Sequence, residues 1–439
     1  MCIRDSNEDS PKFRAVSHTW KDVTSPIYKG LEVIGTHSKT KSRIHGERTR
    51  NSLSTSSIDS SDGSGKGKYS TYMEKEIMDQ PTAIKQAMAG RVDFKNHRVN
   101  LGGIEEYRDE INRCRRIICI GSASSYHVAV GTRQTIEELL EIPVFVELAS
   151  DFLDREVPIF RDDVCIFISQ SGETSSVLSA LMYCKKRDAL VVGITNEENS
   201  KLSEETHCGI NINAGIEVGV TSTKTYINQF ISLVMFAIFM AGDKRSKHDR
   251  ICNIIDEMAL LPEKITKVLQ LNEDIKTLAK DVSNKKSVIL LGRGYHQATS
   301  FEGSLKLIEI ANMHSEGIHS GELKHGPLAL IDEEMPIIMI VMRDSIYDKC
   351  MNAVQQVKAR GGRPLVICEE GDDEIKNFAS VSLAVPKTVD CLSGILAVIP
   401  LQLLALHLAL LHGKSVDSPG GIQKTVIEKM YNVVPEQEE

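Results

Sequence analysis

The sequence predicts an α/β protein of two tandem domains, related by internal duplication, each a doubly wound parallel sheet flanked by helices. Short apolar runs alternate with amphipathic segments, which is the pattern of a parallel α/β sheet. The pattern of residues 115–148, a strand, a glycine-containing turn and a helix, recurs at residues 285–318. A second strand–helix pair follows in each copy, beginning at Cys165 and at Ile337.

The chain divides into six predicted segments. Residues 1–70 are rich in Ser, Thr, Lys, Arg and Gly, and such a stretch buries too little apolar surface to offset its ordering entropy. We therefore expect a disordered linker or a truncated N-terminal remnant there. A helical lead-in is expected at 71–99, with its helix at about Tyr72–Met88 and an interruption at Pro81. The remaining predicted segments are the first copy at 100–243, a polar helical connector at 244–282, the second copy at 283–414, and a tail at 415–439.

The composition indicates sizeable cores and argues against two classes of partner. The chain is 41% hydrophobic, and its net charge of −8 argues against nucleic acid as the main partner. The longest apolar run, Leu392–Leu411, is long enough to span a membrane, but it contains Pro400, Gln402 and His407. It also matches Phe230–Ala241 of the first copy. We therefore predict two duplicated, buried core helices and no membrane partner.

The cysteines give no sign of a metal site or a disulfide framework. Ten cysteines are scattered singly, with no CxxC pair and no alternation with histidine. This usage is typical of a reducing compartment, so we expect a cytoplasmic protein.

One hydroxyl-rich loop distinguishes the first copy from the second. The sequence SQSGET, from Ser169 to Thr174, follows an apolar strand and precedes a helix. Free backbone amides at a helix start favour an anion, and the hydroxyls with Gly172 suit a phosphate monoester. Open α/β sheets bind ligands at this end of a strand. The alternative is ordinary helix capping, because Ser and Thr also cap helices.

Two further connections of the first copy carry hydroxyls. Ser124 and Ser125 follow its first strand, and the segment 219–224 (GVTSTK) precedes its last helix. Each alone would be a turn or a cap. Hydroxyls at three connections of one domain together favour a phosphate site.

The second copy offers titratable groups instead. Lys306 and Glu309 are three residues apart on a predicted helix and therefore share a face, either as a surface salt bridge or as a buried or cleft-facing pair. His325 lies in a loop with Gly and Pro, which suits proton transfer near neutral pH, although a lone histidine is usually structural. Lys424, in the tail, is either a solvated lysine or an amine that forms a Schiff base with a carbonyl.

These motifs in combination resemble a known family. ISQSGET, ASDFLD (149–154), GVTSTK and SGELKHGPLALID resemble the isomerising half of the glutamine–fructose-6-phosphate aminotransferases, which consists of two SIS domains. The resemblance runs from about Gly67 to Lys424. It implies that fructose 6-phosphate is converted to glucosamine 6-phosphate for hexosamine synthesis, in a homodimer or homotetramer. It calls for no metal and no cofactor.

The resemblance also implies roles for individual residues. Glu309 resembles the residue that moves a proton between C1 and C2, and Lys306 lies beside it. His325 resembles a histidine that a neighbouring subunit supplies for ring opening, and Lys424 the lysine that forms the Schiff base. The implied sugar-phosphate contacts are Ser124, Ser125, Ser169, Gln170, Ser171 and Thr174, with Val220 and Ser222 lining the same pocket.

The sequence departs from the family pattern at both ends. About 70 residues ahead of the repeat are too few for the family's glutaminase half, so we expect ammonia to come from a glutaminase domain outside this sequence. In the tail, Gly420 and Gly421 replace the family's Arg-Asn, which adds backbone freedom before Lys424. Two alternatives therefore stay open: a sugar-phosphate-binding regulatory protein without turnover, and a ketose–aldose phosphate isomerase.

Overall fold

Two five-stranded parallel sheets form the centre of the structure, a computed structural model that describes residues 65–242 and 244–419. Each sheet has the same spatial order, 2-1-3-4-5 when its strands are numbered along the chain. All neighbouring strands are parallel. In that order the first sheet contains Val144–Leu148, Arg116–Gly121, Asp163–Ile168, Leu190–Thr195 and Cys208–Asn211, and the second His314–His319, Ser287–Gly292, Ile337–Val341, Pro364–Glu369 and Val381–Val385. The predicted duplicated α/β fold is confirmed.

Helices cover both faces of each sheet. The central strands, such as Asp163–Ile168, are buried along their whole length, which explains why they read as continuous apolar runs rather than as alternating ones. The helices of the first copy are Arg108–Asn112, Ser124–Leu140, Ala149–Asp154, Ser175–Lys185, Lys201–Glu205 and Lys224–Ala241. Those of the second copy are His296–Ala311, Tyr347–Ala359, Asp373–Lys376 and Asp390–Leu411, with 3₁₀ turns at Ser320–His325 and Pro327–Leu330.

The two most apolar helices occupy the core, as the sequence predicts. Lys224–Ala241 and Asp390–Leu411 are long and apolar enough to cross a membrane, but 100% and 89% of their apolar windows are buried inside the protein. The polar interruptions have protein partners. The carbonyl oxygen of the Gln402 side chain, for example, accepts a hydrogen bond from the Gln80 amide at 2.8 Å. These helices are therefore core elements of the two copies.

The lead-in is helical only as far as Met88. Helices Tyr72–Met78 and Gln80–Met88 meet at Asp79, and Pro81 lies in the first turn of the second, where its missing N–H costs no hydrogen bond. These two helices cover the helical segment predicted at about Tyr72–Met88. The rest of the lead-in holds an antiparallel pair of two-residue strands, Val92–Asp93 and Arg98–Val99. The connector contains the helices His248–Leu269 and Asn272–Val282.

One pair of helices joins the two copies at the position that matters for the site. Ser124–Leu140 of the first copy packs against His296–Ala311 of the second. Ser124 therefore lies near Lys306 and Glu309, although about 180 residues separate them along the chain.

Candidate active site at the junction of the two copies

The strand order opens a crevice at the carboxyl edge of the first sheet. Strands Arg116–Gly121 and Asp163–Ile168 are neighbours, and Gly121 pairs with Ile168 at their ends. The helix that follows the first strand packs in the core cluster on one face of the sheet, and the helix after the second packs in the cluster on the other face. The two connections therefore diverge, which is the arrangement that binds ligands in open α/β sheets.

A cavity of about 280 Å³ occupies this crevice and brings the sequence-predicted residues together. It is lined by all eight residues predicted to contact the sugar phosphate, and by Glu309 from the second copy. The eight are Ser124, Ser125, Ser169, Gln170, Ser171, Thr174, Val220 and Ser222; the other lining residues are Ser122, Ala123, Ile168, Val177 and Glu217. The roles of these residues stay predictions.

The SQSGET loop is ordered by its own hydrogen bonds. The Ser169 hydroxyl accepts the Gly172 N–H at 3.1 Å and lies 3.0 Å from the Thr174 hydroxyl. Gly172 has φ +64°, and a Cβ there would lie 2.1 Å from Ser200 Oγ, so the position requires glycine. Thr174 stands at the N-cap of helix Ser175–Lys185, yet its side chain makes no capping bond. Ordinary capping therefore does not explain Thr174.

The cavity has the donors for an anion without a cation in its lining. Its side chains are hydroxyls, one amide, apolar groups and the carboxylates of Glu217 and Glu309. Three helices begin at its edge, Ser124–Leu140, Ser175–Lys185 and Lys224–Ala241, and the amides of a first helical turn carry partial positive charge. A bound phosphate would be held by N–H and O–H groups.

Glu217, which was not predicted from the sequence, lines the cavity where helix Lys224–Ala241 begins. Its carboxylate accepts the backbone N–H groups of Thr223 and Thr225 at 3.0 and 3.2 Å, and the Thr225 hydroxyl at 2.5 Å. Thr225 is in turn 2.6 Å from the Ser222 hydroxyl. The buried carboxylate thus orders the start of helix Lys224–Ala241 beside the cavity.

The second copy contributes a buried row of charges from one helix face. Lys306 is fully buried, and its ammonium lies 2.6 Å from Glu309 Oε2 and 3.2 Å from Glu302 Oε1. It also donates to the Ser124 hydroxyl at 3.3 Å. Of the two alternatives open for Lys306 and Glu309, the buried, cleft-facing pair is thus the observed one. Glu302 was not predicted, although its spacing of four and seven residues from these two placed it on their face.

The environment keeps the Lys306–Glu302 pair ionised. Burial alone would lower the pKa of Lys306, but the carboxylates of Glu302 and Glu309 raise it well above its usual range. Burial would raise the pKa of Glu302, but Lys306, His127 and Ser124 together hold it below its ordinary value. Lys306 is therefore a fixed cation beside Glu309, which keeps a side-chain exposure of 20% at the cavity.

His325, a predicted catalytic residue, is not brought into the cavity. His325 is exposed in the turn Ser320–His325 and does not line the cavity of its own chain. Lys424 lies outside the described residues. In the described part of the tail, the carboxylate of Asp417 accepts the N–H groups of Tyr72 and Met73 at 2.8 and 3.2 Å.

Three further cavities among the described residues lack the hydroxyl cluster. In the second copy, the loop that corresponds to SQSGET borders one cavity of about 30 Å³ and another of about 300 Å³. Both are lined by Arg343 and Asp344, and Asp372 binds Arg343 at 2.7 Å. A larger cavity of about 610 Å³ lies at the amino ends of the first sheet's strands, beside Asp163 and Leu190, with both signs of charge in its lining. Ligands of open α/β sheets bind at the opposite edge, so the smaller, hydroxyl-lined cavity is the candidate site.

Two copies of an open parallel α/β sheet, with a hydroxyl-lined crevice in one of them, place the chain in the class of duplicated α/β-domain proteins. The SIS domain model matches residues 110–239 and 281–412. The chain therefore belongs to the SIS-domain family.

The particular relatives are aminotransferases, as the sequence motifs indicated. The chain is 56% identical over 82% of its length to glutamine–fructose-6-phosphate aminotransferase [isomerizing] 1 of Rattus norvegicus, covering 53% of that protein. It is 50% identical to the Saccharomyces cerevisiae enzyme, again over 82% of the chain and 51% of the relative. It thus spans about half the length of the curated relatives it matches. The structure resembles the C-terminal domain of glucosamine-fructose-6-phosphate aminotransferase from Francisella tularensis, with a TM-score of 0.76 and 32% identity over 80% of this chain and 99% of that one.

Proposed function

We propose that this chain carries the isomerising activity of a glutamine–fructose-6-phosphate aminotransferase. In this reaction fructose 6-phosphate and ammonia give glucosamine 6-phosphate and water. The observation that carries the proposal is the composite cavity. It joins the phosphate-type donors of the first copy to a partly exposed carboxylate, Glu309, from the second. The relatives named above are isomerising aminotransferases, which supports the same reaction.

The first copy binds the phosphate in this proposal. The hydroxyls of Ser169, Ser171 and Thr174 and the amides of the following helical turn take its oxygens. Ser124 and Ser125 lie on the side nearer the second copy, because Ser124 contacts both Glu302 and Lys306. The sugar carbons therefore extend from the loop towards Glu309.

The second copy and the tail carry the bond changes. The Lys424 amine condenses with the C2 carbonyl of the open-chain ketose and releases water, and ammonia then displaces the lysine. Glu309 takes the proton from C1 and returns it at C2, which gives the aldose with its amine on C2. Lys306, fixed as a cation 2.6 Å from Glu309 Oε2, orients the carboxylate that takes the proton from C1 and returns it at C2.

The proposal also assigns partners and a compartment. His325 is exposed away from its own cavity, which supports a ring-opening role in the cavity of a second copy and hence a homo-oligomer. Ammonia comes from a glutaminase domain outside the described residues. All nine cysteines of the described residues are free thiols, which supports a reducing cytoplasm.

A product assay tests the proposal. The purified chain is given fructose 6-phosphate with ammonium and no glutamine, and the sugar phosphates are separated by mass spectrometry. Glucosamine 6-phosphate is the expected product. Glucose 6-phosphate alone would indicate a ketose–aldose isomerase, and measurable binding without any product would indicate a regulatory binding protein; either result contradicts the proposal.

Two pairs of variants separate binding from amination. Ser171→Ala is expected to raise KM, whereas Ser345→Ala, in the corresponding loop of the second copy, leaves it unchanged. Lys424→Ala is expected to abolish amino sugar formation, and Lys429→Ala, five residues further along the same tail, serves as its control. Undiminished product from Lys424→Ala would remove this lysine from the mechanism.

A further inference from the structure

His127, from the first copy, contacts the row of charged residues that Glu302, Lys306 and Glu309 form in the second copy. It lies one helical turn after Ser124, on the same face of helix Ser124–Leu140. Its Nδ1 is 2.8 Å from Glu302 Oε2, and the two side chains are only 14% and 0% exposed. The ring packs between Tyr126 and Phe301, with ring centroids 5.9 and 5.8 Å away. The contact is therefore buried and its geometry constrained.

The two oxygens of Glu302 face different partners. Oε1 accepts the Ser124 hydroxyl at 2.9 Å and lies 3.2 Å from the Lys306 ammonium, whereas Oε2 faces His127. Because Glu302 is ionised, it can only accept hydrogen bonds. The Nδ1 of His127 therefore carries the proton and donates it.

We propose that His127 is a positioning residue for the reaction proposed above: by holding Glu302, it fixes how Lys306 is shared between Glu302 and Glu309. A buried carboxylate oxygen that loses its donor takes another. Without His127, Glu302 would draw on the nearest available donor, the Lys306 ammonium, and so draw it away from Glu309. The charge beside the proton-transferring group would change while the SQSGET loop stayed as it is.

Three variants at this position test the role, and a fourth elsewhere is the control. The amide of His127→Asn places a donor where Nδ1 stands, whereas the amide of His127→Gln reaches towards the place of Nε2. His127→Ala removes the donor altogether. His97→Ala removes a different histidine–carboxylate contact, 2.8 Å from Asp256 and remote from the cavity. Each variant is checked for folding by its melting temperature before kinetics.

The expected result is a change in kcat without a matching change in KM. His127→Ala and His127→Gln should lower kcat by roughly 10- to 100-fold, which is the effect of a small misplacement of reacting groups. His127→Asn should restore most of it, and His97→Ala should match the wild type. A wild-type kcat in His127→Ala, or equal losses in Asn and Gln, would overturn the positioning role. If His127→Ala does not fold, the comparison of Asn with Gln decides.

A second measurement does not depend on turnover. Nitrogen-15 NMR of the His127 ring should show the proton on Nδ1, and an unprotonated Nδ1 would refute the inference. The inference rests on the proposed function, but the two fail differently. A wild type without product ends the proposed function, whereas a wild type that turns over with an equally active His127→Ala ends only the positioning role.

Discussion

Replacing Lys306 by methionine should strongly destabilise the protein, because it leaves the buried carboxylate of Glu302 without its cation. Both side chains are 0% exposed and their charged atoms lie 3.2 Å apart. Methionine keeps the length of the side chain but removes its charge. Removing one partner of a buried ion pair costs about 3–5 kcal/mol, since the other charge stays desolvated. Removing both charges, in Glu302→Gln/Lys306→Met, should cost less than the sum of the two single changes.

The melting temperature gives the magnitude. At about 2.1 cal/mol/K per residue, a cooperative unit of about 350 residues has an unfolding entropy of about 0.7 kcal/mol/K. The expected loss then lowers the melting temperature by about 4–7 °C, which calorimetry resolves. Lys276→Met is the control, because Lys276 pairs with Glu273 at 3.6 Å on an exposed helix surface. Strict additivity of the two single changes, or a Lys306→Met variant that melts like the wild type, would refute the buried-pair reasoning.

Three further predictions concern other parts of the molecule. Gly172→Ala should weaken sugar-phosphate binding measured by calorimetry, because φ +64° costs a side chain about 1–2 kcal/mol and the new methyl would lie 2.1 Å from Ser200 Oγ and 2.4 Å from Ser200 Cβ. Adding Ser200→Gly, which removes both atoms, should restore part of the affinity. Burial lowers the pKa of His296 from its ordinary 6.5 to about 4, so the neutral ring contributes up to about 3 kcal/mol to the free energy of unfolding. This contribution is complete above pH 6.5 and is lost as the pH falls from 6.5 to 4, because the ring is then protonated in the unfolded chain first. A His296→Gln variant whose free energy of unfolding falls as steeply between pH 6.5 and 4 would contradict this. Asp417→Ala removes the acceptor for the first N–H groups of helix Tyr72–Met78, and should lower the free energy of unfolding measured in urea by about 0.5–2 kcal/mol. Asp417→Asn, which keeps an acceptor oxygen, should be closer to the wild type. An unchanged urea midpoint in Asp417→Ala would argue against this capping role.

Local patterns in the sequence were sufficient for the fold and for one side of the site. The repeat of strand, glycine turn and helix reflects a local periodicity, so both sheets could be predicted from it. Ser169 and Ser124 follow the ends of neighbouring strands, and parallel strands share an edge, so their hydroxyls had to converge. The second copy has Arg343 in the corresponding loop instead of the hydroxyls, so the sequence alone indicated the first copy as the one that binds an anion.

What the sequence left open depended on contacts between distant segments. Spacing alone allowed Lys306 and Glu309 to be a surface pair. Lys306 is instead fully buried and Glu309 faces the cavity, because helix Ser124–Leu140 packs against their helix. Glu302 and Glu217 were not predicted from the sequence for the same reason. A carboxylate becomes part of a site through partners supplied by other elements, here His127 and the first turn of helix Lys224–Ala241.

The sequence by itself determined two duplicated α/β domains, two core helices and a hydroxyl-rich crevice in the first copy, because each follows from periodicity or from residues adjacent in the chain. The tertiary structure decided that the candidate site is composite. Docking of the two copies brings Glu309 to the hydroxyls of the first and buries Lys306 between two carboxylates. The physical reason is that burial sets the strength of these charges, and burial is a property of packing that no local stretch of sequence contains.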